Sequence, residues 1–549
     1  MTKKTLKYIQ VPVAAIVAIS LSSWSPVESS ASPLDSGSPM GSLDIGSWTG
    51  SLDSGSAAAA PSIERVILDV PGGITNPMNP RYAEDGKTIY FHARPADGGR
   101  KEIYQINIDG TNVQCVTCGV SPEITIDLGK MTTFQDGSGQ LLLEAGNNKS
   151  VVLETYEGGR RLVPVLAPEA GARVLDPTRE MRVSPDGKHV LFTQIQMAPS
   201  GLIAAVPVVG ALSRTDKGFE IVDARAIYVT GEGKQWTPDG KGVVVIGGQY
   251  DAGNVDNIVV DLATGNVTRL NGNLDYDEDM DLSPNQQWMA VGSMRGLDAL
   301  TPMSRVMRPA FLAAHIQGSV YEAYANPTNV TNQEWLVSVE DDLRGENGIP
   351  LFIDNDGYVA RSMPSWNPTG DAVAFYELST TDRTATRLVI ANLKNTTSVG
   401  PVEGDRITPS PAWAPELRTY IPGPAPLPAL GEYTGAKGGT AVVSEVADPN
   451  VIGNTLRSVV YSDYVNEKGM ILNGTESTSA DASQSSIRYI VDINVTGAHT
   501  GYLRGDVTIN KTTRKIVPTT PTSAITSELD QDVLVLLDPE RIAGAQQTS

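Results

Sequence analysis

Residues Met181–Gln194, MRVSPDGKHVLFTQ, constrain the fold of this chain more than any other stretch. Arg182–Ser184 runs extended into Pro185. Pro185-Asp186-Gly187 then turns, because proline fixes φ and glycine supplies φ > 0, and Val190 and Phe192 alternate along a second strand. The unit recurs as QWTPDGKGVVVI at Gln235–Ile246, DLSPNQQWMAV at Asp281–Val291 and SWNPTGDAVAF at Ser365–Phe375. Looser copies stand at Arg81–Phe91, Thr132–Leu143 and Pro411–Tyr420, the last without its turn glycine. Aligned on the first turn residue, they fall at Glu84, Gln135, Pro185, Pro238, Pro284, Pro368 and Pro415, with gaps of 51, 50, 53, 46, 84 and 47 residues. A period near 50 built from short strands predicts a propeller, since one blade takes about 40–50 residues. A small sheet cannot bury both faces alone, and stacking in a ring buries them. The 84-residue gap reads as a blade with a decayed turn, its strands drawn from Glu334–Glu340, Pro350–Ile353 and Tyr358–Arg361. The expectation is all-β: about seven blades (six to eight) over residues 62–420. Ile63–Val70 is expected to close the ring beside Pro411–Tyr420.

The recurring aromatic or polar residue followed by Ser-Pro-Asp-Gly and an alternating strand resembles the TolB-like, WD40-like (PD40) repeat. The resemblance covers roughly residues 62–420. It implies that the turn joins the two innermost strands of each blade and that Glu102–Ile108 and Asn257–Leu262 come third. Asn285 and Thr369 depart from the pattern, as does the region 300–360. In TolB-type proteins the propeller is a docking hub for envelope proteins, so an envelope or extracellular protein partner is implied.

The flanks read differently. Lys3, Lys4 and Lys7 precede the apolar run Val11–Leu21, and Ser29-Ser30-Ala31 offers small residues for cleavage, the pattern of a secretory signal over 1–31. Residues 32–61 repeat Leu-Asp-Ser/Ile-Gly-Ser every nine residues and hold too little apolar surface to order, so they read as a linker. No later stretch is apolar enough to span a bilayer. The location implied is secreted or cell envelope, the periplasm if the source is Gram-negative. Beyond the proline-rich linker 421–432, residues 433–540 carry strictly alternating strands such as Ile487–Val495 and read as a small β-sandwich or barrel domain. A net charge of −21 disfavours nucleic acid and anionic membranes. A monomer is expected.

Candidate sites are few. Cys115 and Cys118 are the only cysteines, and in an exported chain a local disulfide is the leading reading. Asp275, Asp277, Asp279 and Asp281 alternate in DYDEDMD; alternate residues of an extended chain face one way, which makes them a candidate calcium site, set against a solvated acidic loop. No other cofactor is indicated. Ala299–Ala325 carries apolar residues at roughly helical spacing and reads as an insertion over one propeller face, either packed on a blade or serving as a ligand lid. Trp236, Trp366 and Trp413 precede their turns equivalently, which points to blade packing. His92, His189, His315 and His499 form no metal motif, and no nucleophile elbow or Walker loop is present. No catalytic constellation emerges. The leading expectation is a secreted, non-enzymatic binding or scaffold protein. The alternative is an extracellular polysaccharide lyase or glycosidase with its site at the channel mouth, which requires His92, His315 or the acidic stretch to converge there.

Overall fold

The computed structural model describes residues 61–146, 149–328, 333–353, 356–382, 384–394, 406–448, 455–479, 486–510 and 512–547. The signal and linker expected over 1–61 lie outside them but for Pro61. Among these residues six four-stranded antiparallel blades follow in order, the low end of the six to eight expected. Their inner strands are Ile74–Tyr82, Leu128–Thr133, Arg173–Val183, Glu232–Trp236, Asp277–Leu282 and Tyr358–Trp366. Blade six takes its outermost strand from the start of the propeller: Ser62–Leu68 pairs antiparallel with Thr386–Lys394, from Ser62 against Lys394 to Leu68 against Leu388. That pairing closes the ring and leaves no open edge between first and last blades. Blades two and three are also joined, by a short parallel contact of Phe219 and Glu220 with Val165 and Leu166.

Two expectations fail for one reason. The 84-residue gap hides no blade. Gln333–Ser338 and Ile349–Pro350 are the outer strands of blade five, and Tyr358 already begins blade six. The extra length is an insertion between the second and third strands of blade five, and a turn-to-turn spacing counts an insertion and a lost blade alike. Likewise Pro411–Tyr420 is no repeat but a strap up the outside of blades three and four. Leu417 and Pro415 accept from the backbone N–H groups of Gly171 and Ala226 at 2.9 and 3.1 Å. The Trp413 indole donates to the Leu262 carbonyl at 2.9 Å and lies over Gly265. Trp413 is therefore not equivalent to Trp236 and Trp366, whose indoles donate to the inner strand of the preceding blade, at the Arg182 and Asp281 carbonyls.

The turns work as their residues dictate. The Ser184 hydroxyl bonds Asp186 and accepts from the His189 N–H at 2.9 Å, while Gly187 sits at φ +72°. Blade five places Gln286 at φ +60°, where the other turns place glycine.

The insertion holds helices α1 (Thr301–Ser304) and α2 (Gln317–Thr328). It emerges at the face opposite the turns, and its apolar side chains do not pack on a blade alone. Phe311, Leu312, Ile316 and Val320 share one core with Tyr461, Leu472, Tyr489 and Ile493 of the second unit. That unit is one nine-stranded antiparallel sheet running from Gly431–Thr434 to Asp532–Val535, not two facing sheets. Its alternating strands bury one face against the insertion and against α4 (Pro539–Gln547), which follows the short α3 (Val339–Leu343) in chain order. No helix among the described residues is long and apolar enough to cross a membrane.

Gly187→Ala forces a left-handed φ on an L-residue and brings its Cβ to 3.0 Å from an Asp136 carboxylate oxygen. It should cost about 1–2 kcal/mol, and Gln286→Gly should gain up to about 1 kcal/mol, read as opposite shifts of the urea midpoint.

Candidate functional site

The ring brings six inner strands to one axis, and every one of them breaks register near the same place. The shifts fall between Met78 and Arg81, Leu128 and Met131, Arg179 and Arg182, Gly233 and Gln235, Asp277 and Met280, and Arg361 and Ser365. Asn79, Glu180 and Met363 take positive φ there, at +51°, +53° and +90°. A bulge re-aims side chains. These build two polar layers in the channel.

The first layer is an alternating chain of charge across blades two to five. Lys130 pairs with Glu180. Lys234 Nζ then reaches Glu180, Glu232, Glu278 and Asp279 at 3.4, 3.0, 3.6 and 3.1 Å. Arg179 pairs with Glu232 from the side. Lys234 is 3% exposed, so it is held charged only by these carboxylates; burial pulls its pKa down, yet the surrounding negative charge holds it well above the usual lysine value. Glu180 is likewise held well below the carboxylate range, burial being outweighed by Lys130 and Lys234. The second layer stands three residues before each turn: Arg81, Thr132, Arg182, Gln235, Asp281 and Ser365. Arg182 crosses from blade three to Met363 of blade six, and Arg81 donates to the neighbouring Pro364 carbonyl. Burial lowers Arg81 to about 10, helped by Arg182, and raises Asp281 to about 6 against the pull of Arg81.

Of the residues singled out from the sequence, the four aspartates do reach the channel side but do not converge on a cation. Asp275 accepts from the Leu300 N–H at 2.6 Å and the Thr301 hydroxyl at 2.8 Å. Asp277 pairs with the buried Arg295, which also holds Asp342 at 2.8 Å. Asp279 meets Lys234, and Asp281 accepts from the Trp366 N–H at 2.9 Å. They are strand and buried entry, not a solvated loop, and each has its own partner. No group of three or more His, Cys, Asp or Glu among the described residues could hold a metal ion. Cys115 and Cys118 form a disulfide with Cα atoms 5.6 Å apart. The histidines stay apart. His92 is buried in blade one, where burial pushes it down to about 3. His189 lies beside Asp186 at its turn, His315 faces the C-terminal sheet beside Glu476 and Tyr489, and His499 pairs with Asp530 at the surface. Lys130, Glu180, Lys234, Arg81 and Arg182 were not among the sequence candidates. Their signal was present: the alignment of turns fixes which residue stands three before each one.

At the face opposite the turns the channel is covered. Tyr321 of α2 meets Tyr276 edge-on, ring centroids 5.5 Å apart, and Glu278 and Lys234 act electrostatically on the Tyr276 phenol. No family model matches the sequence. No curated protein matches it either. Among solved structures, the chain is similar to a putative TolB from Agrobacterium tumefaciens (17% identity over 51% of this chain and 79% of that one, TM-score 0.34). It is similar to TolB from Acinetobacter baumannii (15%, 56% and 65%, TM-score 0.33). It is also similar to an oligogalacturonate lyase from Vibrio parahaemolyticus (12%, 61% and 97%, TM-score 0.33). What decides the fold is internal: one turn repeated, six bulged inner strands and a closing strand. The chain is a β-propeller. In this propeller the channel is filled by its own charges.

Lys234→Met leaves Glu180, Glu232 and Asp279 facing one another without their common cation. It should destabilise by about 3–5 kcal/mol, measured by chemical unfolding. Burial raises Asp275 to about 7 and Asp176, Asp277 and Asp281 to about 6. Free aspartate titrates near about 4, so the folded state holds extra protons in between, and stability falls as pH rises through about 6–7. The thermal midpoint should therefore rise as pH is lowered from about 8 to about 6; below that, His92, buried neutral, works the other way. Asp275→Asn should flatten the slope and be the more stable protein at pH about 8.

Proposed function

We propose that this protein is an exported binding or scaffold protein of the cell envelope, in which the propeller and the C-terminal sheet form one rigid platform for a protein partner. The observation that carries this reading is the lock between the two units. Arg308 of the insertion is fully buried and bonds Glu476 of the sheet through Nε and Nη2 at 3.0 and 2.9 Å. Tyr461 and Tyr489 close on the same carboxylate at 2.7 and 2.8 Å. A fully satisfied buried ionic cluster fixes one arrangement of the elements that carry it. Every cation of the bulge layer is paired with a carboxylate, and Tyr321 of α2 packs on Tyr276.

The alternative of a polysaccharide lyase or glycosidase at the channel mouth needs acids and a His or Tyr converging on open space. His92 lies in blade one and His315 in the blade-five insertion facing the C-terminal sheet, and the acidic stretch is engaged with protein cations and N–H groups. The anionic surface of the chain, net −21, supports a protein partner with a basic face over nucleic acid.

Immobilised full-length chain, challenged with envelope extract, should retain one protein in stoichiometric amount, and the interaction should weaken as salt is raised. Chain cleavage of a wall or pectic polysaccharide by the purified protein, with no such partner, would sink the scaffold reading in favour of the enzyme.

A further inference from the structure

The turn-side layer of the channel differs from the layer beside it. In the bulge layer each cation meets a carboxylate. In the turn-side layer the two guanidinium groups do not. Arg182 is 1% exposed; it donates to the Met181 carbonyl at 3.3 Å and to the Met363 sulfur at 4.0 Å. Its Nε, buried, has no hydrogen-bond partner. Arg81 is 8% exposed and donates to the Pro364 carbonyl. Among the described residues neither is in ion-pair contact with a carboxylate; Asp281, Asp279 and Glu180 act on Arg81 only at longer range. Beside them the Thr132 hydroxyl, also buried, has no partner. A buried guanidinium without a paired anion is costly, and its planar fork matches an oxyanion in two bonds at once.

The two arginines converge although they come from blades one and three. Both reach adjacent residues, Met363 and Pro364, of the inner strand of blade six. Met363 holds φ +90°, a conformation that side chains other than glycine's seldom adopt. The strained residue is the one Arg182 rests on, and Arg81 rests on its neighbour.

We propose that the turn-side layer of the channel is a binding site for a small oxyanion, a phosphate or a carboxylate, held between the guanidinium groups of Arg81 and Arg182 with the Thr132 hydroxyl as a further donor. The site lies beside the bulge-layer ion chain, whose Glu180 and Asp279 act on both guanidinium groups at longer range. It gives the platform a small-molecule ligand in its axis. A chain with net charge −21 repels anions at long range, so affinity here belongs to this local pair and not to the general field.

The test is thermal shift and calorimetric titration of the full-length chain with inorganic phosphate and, separately, succinate, each against sodium chloride at equal ionic strength. The expected result is a saturable rise in midpoint with one of the two oxyanions and none with chloride, with a dissociation constant in the millimolar range or tighter; the stronger of the two identifies the source chemistry. Arg182→Met should weaken that binding about tenfold or more while leaving the ligand-free midpoint unchanged or higher, because a buried unpaired charge has been removed. A merely structural Arg182 would lower the ligand-free midpoint and leave binding unaltered. If that variant does not fold, Arg81→Met carries the same comparison. Identical responses to chloride and to both oxyanions in the unmodified protein overturn the proposal, as does undiminished binding in the folded variants.

Discussion

Seven residues, Ser62–Leu68, hold the ring shut, and much else follows from that contact. Paired along their whole length with Thr386–Lys394, they turn a row of five sheets and an incomplete sixth into a closed circle. Closure fixes how near the inner strands approach the axis. Six strands cannot all run regularly into so narrow a space, and each one breaks register at the same height. The breaks turn side chains that would point into a blade toward the centre instead. The channel is thus a consequence of the closing strand, and its polar lining a consequence of the bulges.

Filling a channel with charge has an electrostatic cost that geometry must offset. Lys130, Glu180, Lys234 and Asp279 manage this by alternating in sign from blade to blade, so each charge faces an opposite one. Where alternation fails the groups respond. Asp275, Asp277 and Asp281 take up protons more readily than ordinary aspartates because burial outweighs the cations and N–H groups they reach. Two arginines remain without a carboxylate in contact. The same axis therefore holds a saturated layer and an unsaturated one, set by one or two residues' difference along the inner strands.

The insertion in blade five ties this ring to the second unit. It contributes core to a sheet far along the chain, and Arg308 places a cation inside that sheet against Glu476. The C-terminal sheet has one face to bury, and what it buries it against is a piece of propeller. The strap from Pro411 to Tyr420 makes a second connection along the outside, so the linker region is partly docked.

The repeat could be read directly, because a turn depends on a few neighbouring residues: Pro185, Asp186 and Gly187 specify their own geometry wherever they stand. From it followed the all-β class, the ring, the packing role of Trp236 and Trp366 and the closing N-terminal strand, whose partner is Thr386–Lys394 and not the expected Pro411–Tyr420. The C-terminal strands were legible for the same local reason, in the alternation of Ile487–Val495. Blade number was not legible, since spacing along the chain does not distinguish an insertion from a blade, and Pro411–Tyr420 carries half the motif without its pairing. Nor was the site. Asp275–Asp281 looked like four ligands for one cation because alternation on a strand is local, whereas Arg295, Lys234 and the Leu300 N–H, which claim them one by one, arrive from elsewhere in the chain. Lys130, Glu180 and Lys234 lie about 50 residues apart and are ordinary in their own surroundings. Only closure of the ring brings them within reach of one another, because an ion pair depends on distance in space and the sequence records distance along the chain.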